Sequence, residues 1–199
     1  DEDGSGSGKY DYYNYIIHTQ KLVSYNIFQS IMSQDTSGYT PLHFILYTPI
    51  YNFLGLDYLR LINFLLSFLV FLIFYKILKK RFPNQNDKCL ILISFLPMLD
   101  PYFRASAFWF QNETTALIFF LLSLYYFVYT SSLIKNKDLI SKKIIFKNFF
   151  LVFLFSSIAF YTKQTYIFFT IFCYFYFLIK IKKVNYILFV SFINLLFYM

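Results

Sequence analysis

Residues 90–129 read LILISFLPMLDPYFRASAFWFQNETTALIFFLLSLYYFVY, two apolar runs separated by the polar stretch Asp100 to Glu113. Charged side chains are expensive inside a bilayer, so Asp100, Arg104 and Glu113 belong at or near one membrane face unless they pair within the protein. The flanking runs are Phe, Leu and Ile blocks without alternation, which points to helices rather than barrel strands. Outward from this stretch the pattern recurs. Hydrophobic residues make up 58% of the chain and charged residues 14%, and several runs approach or exceed the roughly 20 residues that cross a hydrocarbon core of about 30 Å. The fold class is all-α, a polytopic transmembrane helical bundle.

The opening DEDGSGSGK is acidic and Gly/Ser-rich, hence flexible. From Tyr10 to Ser33, apolar residues recur at helical spacing among many polar ones, as in a helix lying at an interface. DTSGYTP, Asp35 to Pro41, is a turn, and LHFILYTPIYNFLG is a partly embedded segment broken at Pro49. The spans are Leu59–Tyr75, Cys89 towards Phe110 with breaks at Pro97 and Asp100-Pro101, Thr114–Tyr129, Phe149–Tyr161, Tyr166–Ile179 and Val184–Met199. Residues 1–57 thus form an outer loop with interfacial helices, and 58–199 a bundle of about six spans. The chain reads as a piece of a longer protein, with a helix upstream of Asp1.

Thirteen of the eighteen Lys and Arg residues fall in 76–88, 132–147 and 180–183, while eight of the ten acids lie elsewhere. Positively charged short loops stay cytoplasmic. The first loop, the Asp100–Glu113 stretch and the YTKQT turn at 161–165 therefore share the non-cytoplasmic face. The net charge of +8 is spread in short clusters between apolar runs, so it sets topology and is no nucleic-acid footprint. Cys89 and Cys173 sit in apolar helices, where packing is the expected role, not a disulfide or a metal.

On the outer face, Arg104 and Lys163 are closely flanked by apolar sequence and sit at headgroup depth, where a cation suits a lipid phosphate. Carboxylates on the same face suit proton abstraction from a hydroxyl. His43 has two readings, a phosphate or hydroxyl contact and a packed hydrogen-bonding residue. Trp109 also has two, a sugar-stacking ring and an interfacial anchor.

The motifs YDYYNYIIHTQ (10–20), GYTPLHF (38–44), LGLDYLRLIN (54–63), FWFQNETTALIFF (108–120) and YTKQTYIFF (161–169), in that order, resemble the GT-C superfamily of polyprenyl- and dolichyl-phosphate-sugar-dependent membrane glycosyltransferases. That superfamily includes protein mannosyltransferases and dolichyl-phosphate-glucose glucosyltransferases. The resemblance implies an inverting, metal-independent enzyme without a cofactor, in a bacterial inner membrane or the endoplasmic reticulum. It implies a polyprenyl-phosphate-sugar donor drawn from membrane lipid and a glycan, lipid or protein acceptor. Asp11 is the base it implies, with Asp3 as the substitute. Glu113 would orient the acceptor or the base, and Arg104, Lys163, Gln164 and His43 would hold the donor phosphate. Lys163 stands where the glucosyltransferase branch has Arg, which keeps the charge but loses the planar fork. The alternatives are a transporter or flippase of lipid-linked sugars and a noncatalytic membrane subunit. A flippase needs polar groups continuing across the membrane, and neither 115–129 nor 166–179 holds a charged residue.

Overall fold

The computed structural model describes residues 6–24, 42–135 and 142–181, with the side chains of residues 6–11, 22–24, 57, 135, 142–143, 178 and 180–181 outside that description. Every described element is helical: α1 (Gly6–Ser24), α2 (Leu42–Leu54), α3 (Asp57–Arg81), α4 (Asp87–Ser94), α5 (Leu96–Leu99), α6 (Pro101–Phe108), α7 (Asn112–Lys135), α8 (Lys142–Thr162), a 3₁₀ turn (Gln164–Tyr166) and α9 (Ile167–Ile181). Three of these helices are long and apolar enough to cross a membrane, over Tyr58–Arg81, Asn112–Ile134 and Ile144–Thr162. At 1.5 Å per residue, α3 and α7 each reach about 36 Å, more than a hydrocarbon core of about 30 Å. Large apolar side chains are exposed on the described helices, with Leu92 72%, Leu99 70% and Phe168 77% exposed.

The bundle is built around α7. On one side α3 packs through Val70 and Ile77 against Ile118 and Leu121, with Phe103 of α6 in the same cluster. On the other, Ala116 and Ser123 of α7 and Ser156 and Ala159 of α8 are all buried, small residues that let two backbones approach. Ser123 Oγ donates across that seam to the Val152 carbonyl at 2.7 Å. α9 closes on α8 through Phe149, Phe153, Cys173 and Phe177.

The run after Cys89 is broken as the prolines dictate. Asn86 Oδ1 caps α4 by accepting from Lys88 N at 2.9 Å. Pro97 falls in the short α5. Asp100 then takes an extended conformation and its Oδ1 accepts from Tyr102 N at 3.0 Å, with Pro101 at the first helical position of α6. The result is a 70° bend between Asp87–Leu99 and Pro101–Phe108, which together satisfy the length and hydropathy of a fourth span.

Several elements differ from the sequence reading. Helix α2 runs unbroken through Pro49; His43, Phe44, Tyr47 and Thr48 before it are buried, and Ile50 and Tyr51 after it pack partly buried against the same cluster. It stops at Gly55, which takes φ +85°, a conformation open to glycine. The Gly/Ser stretch is helical from Gly6, as α1 docks on α2 and propagation then adds a hydrogen bond per residue. Helix α8 has 21 residues rather than the 13 of Phe149–Tyr161, since it begins at Lys142, ahead of the apolar run. The expected sixth span, Val184–Met199, lies outside the described residues, as does the Asp35–Pro41 turn.

Candidate functional site

The N-terminus of α7 meets the C-terminus of α8, and the polar residues of FWFQNE and YTKQT converge there. Helix α8 ends at Thr162, and Lys163 adopts an extended backbone (φ −145°, ψ 114°), still donating its N–H to the Ala159 carbonyl at 2.8 Å. That kink returns its side chain to α7. Lys163 Nζ forms an ion pair with Glu113 Oε1, and one residue earlier Asn112 Nδ2 donates to the Thr162 carbonyl at 2.9 Å. Glu113 lies in the first turn of α7, where the helix N-terminus favours a carboxylate. Tyr102, from α6, donates its hydroxyl to the same Glu113 Oε1 at 3.2 Å. Tyr166, in the 3₁₀ turn, lies close enough to the Glu113 carboxylate to feel its charge.

Beneath this corner is a buried polar network that the sequence reading missed. Asn63 of α3 accepts from the Tyr47 hydroxyl at 2.8 Å and donates to the Ser106 and Ala107 carbonyls at 3.2 and 2.9 Å. It joins α2, α3 and the end of α6. Ser106 Oγ pairs with Thr114 Oγ1 at 3.0 Å and accepts from Thr114 N at 3.2 Å, tying α6 to α7. Asn63 is the lone amide in the apolar run 58–79, and an amide there signals an internal partner. The turn that brings α6 back to α7 puts Phe110 at φ 59°. That conformation is costly for a bulky residue, and complete burial against His43 and Tyr47, ring centroids 4.8 and 4.6 Å away, holds it.

The other expected site residues fall as follows. His43 is fully enclosed, with Nδ1 3.2 Å from Thr115 Oγ1. Burial lowers its imidazole to about 3, opposed only in part by the Phe110 main chain, so it is neutral at pH 7. That is the packed hydrogen-bonding alternative. Gln164 and Arg104 are exposed. Arg104 stands two residues beyond Tyr102, roughly 200° around α6, and among the described residues its guanidinium forms no salt bridge. Asp11 lies in α1 with its side chain outside the described residues; the next residue, Tyr12, packs on Trp109 at 6.0 Å between ring centroids. Asp3 lies outside the described residues altogether.

Trp109 is buried. With Tyr12 and Phe108 it surrounds Arg60, whose guanidinium carbon is 5.2, 4.3 and 4.7 Å from the Tyr12, Phe108 and Trp109 ring centroids. Arg60 Nε also donates to the Phe108 carbonyl at 3.3 Å. At this end the buried atoms His43 Nε2, Asn112 Oδ1 and Glu113 Oε2 have no hydrogen-bond partner among the described residues. Buried atoms of this kind are where a ligand hydroxyl or a water docks.

No family model matches the chain, and neither a curated protein nor a solved structure matches it.

Proposed function

We propose that this protein is a membrane glycosyltransferase that moves a sugar from a polyprenyl-phosphate donor to a glycan, lipid or protein acceptor at the non-cytoplasmic face. The observation that carries this reading is the meeting of Glu113 with Lys163, fifty positions apart, with Tyr102 on the same carboxylate oxygen. An acid and a cation partly screened from water, at the end of apolar helices, are what transfer from a lipid phosphate needs.

On this reading the ion pair is the resting form. The donor phosphate competes with Glu113 for Lys163, and exposed Gln164, the next residue in the chain, adds a donor. The acceptor hydroxyl attacks the anomeric carbon as the bond to the phosphate oxygen breaks, and its proton passes to a carboxylate, with Asp11 as base and Glu113, freed from Lys163, orienting the acceptor. Lys163 stabilises the phosphate as it leaves. The isoprenoid tail stays in lipid beside the exposed apolar faces of the helices. His43 takes no part in this chemistry and belongs to the packing beneath it.

The test is transfer from a short-chain polyprenyl-phosphate sugar in proteoliposomes of the full chain. Glu113→Gln and Asp11→Asn should each lower turnover by about a hundredfold to ten-thousandfold, and Lys163→Gln should act mainly as weaker donor binding. Unchanged turnover in both carboxylate variants would remove this corner from the chemistry. Movement of labelled lipid between leaflets without any transfer product would replace the enzyme by a flippase.

A further inference from the structure

The opposite end of the bundle holds a groove over α7 between the last turn of α3 and α9, about 290 Å³ in volume. Lys80 and Arg81 stand on one rim, Ser131 and Tyr176 lie within it, and Phe127 and Phe172 form apolar walls. We propose that this groove binds the phosphate headgroup of an anionic membrane phospholipid.

The two cations are the first reason. Among the described residues, the ion pair at this end is Lys79 with Asp87, which leaves Lys80 and Arg81 without a carboxylate. Lys80 Nζ lies 4.5 Å from the Tyr129 ring centroid and Arg81 Cζ 5.9 Å from that of Phe82. Ring faces hold a cation in place and use none of its hydrogen-bond capacity in the ordinary sense, so the donors of both remain for an anion.

The hydroxyls are the second. Ser131 Oγ and Tyr176 OH are 2.7 Å apart. Two hydroxyls so paired carry two hydrogens and spend one on each other, so one O–H is left to donate outward. The third reason is depth and wall chemistry. Lys80 and Arg81 close the apolar stretch Tyr58–Arg81, at headgroup level for a helix that spans, and Phe172 is 52% exposed on the side where acyl chains would run.

The C-termini of α3, α7 and α9 work against an anion, but each acts as roughly half a charge and fades within the last turn. Ser131 and Tyr176 lie about one turn inside those ends, and two full positive charges outweigh the partial ones. An apolar helix seated here would cover Lys80 and Arg81 without supplying an acid. A lipid phosphate with two tails matches cations, hydroxyl and walls together. This assignment does not depend on the glycosyltransferase reading.

The experiment is native mass spectrometry of the full chain, delipidated in detergent and titrated separately with phosphatidylglycerol, phosphatidylcholine and inorganic phosphate. Phosphatidylglycerol should bind preferentially, and the preference should fall about fivefold for Lys80→Gln and about twenty-five-fold for Lys80→Gln with Arg81→Gln. Lys88→Gln, an exposed cation of the same end outside the groove, should leave it unchanged, and matching helicity by circular dichroism establishes that the variants fold. Equal binding of the two lipids overturns the proposal, as does loss of preference in Lys88→Gln as large as in the double variant. Displacement of the lipid by millimolar inorganic phosphate would make this a free-anion site and overturn the lipid assignment. A photo-crosslinker at Val128 should capture lipid; capture of this chain's own residues 182–199 in its place would overturn it as well.

Discussion

Among the described residues, two Lys–acid ion pairs stand at opposite ends of one helical bundle, and they are not equivalent. Lys79 and Asp87 meet across the short α3–α4 connection with side chains 43% and 55% exposed, whereas Lys163 and Glu113 are 33% and 19% exposed and come from positions fifty apart. The first pair joins neighbours in solvent, where water replaces either partner at little loss. The second shares its carboxylate with Tyr102, lies beside Tyr166 and rests on a buried network through Asn63, Ser106 and Thr114. What separates the ends is the number of elements that must be in place before the charges meet. The Lys79 end closes a turn. At the Glu113 end, α6, α7 and α8 must all be assembled.

The widest separation between the ends should appear in activity. Glu113→Gln should reduce sugar transfer by about a hundredfold or more, while Asp87→Asn leaves it unchanged in the same proteoliposomes; equal losses would mean that both pairs act only on folding. Next in size is Asn63→Ala. It removes three hydrogen bonds in an apolar setting and should destabilise the protein by about 2 kcal/mol in reversible unfolding from mixed micelles. A neutral result would show that the network under the Glu113 end is dispensable.

A smaller effect separates the ends by pH. In α2, outside the candidate spans, burial holds the His43 imidazole at about 3 against an ordinary 6.5. The unfolded chain therefore takes up a proton below pH 6.5 that the folded chain refuses, and stability is lost as pH falls from 6.5 towards 3. Between pH 7 and 5.5 the loss should be about 1 kcal/mol, and His43→Asn should flatten it. The smallest effect belongs to Lys79→Ala, which should leave the melting temperature unchanged and be insensitive to added salt.

Much of the scaffold was legible in the sequence. The apolar runs around Leu59–Tyr75, Thr114–Tyr129 and Phe149–Tyr161 all fall within long helices, because length and hydropathy suffice to mark them. Pro97 and Asp100-Pro101 marked the bend for an equally local reason: a missing donor and a restricted residue before proline. Pro49 failed by the same rule. Its helix is held by a buried face that the local sequence does not reveal, and the lengths of α7 and α8 were underestimated because polar residues at their ends continue the helix.

The candidate site divides in the same way. That Glu113 and Lys163 share one end follows from counting spans and basic loops, which is a one-dimensional argument. That they touch, that Tyr102 joins them while Arg104 points elsewhere on α6, and that His43 is sealed and neutral depend on helix rotation. Rotation is set by packing of Ala116, Ser123, Ser156 and Ala159 at the α7–α8 seam and by Phe110 held at positive φ. Hydropathy along a chain determines which segments leave water and how many residues each needs. Only the packing of side chains from distant segments determines which faces of those helices meet, because that choice turns on contacts that no single segment contains.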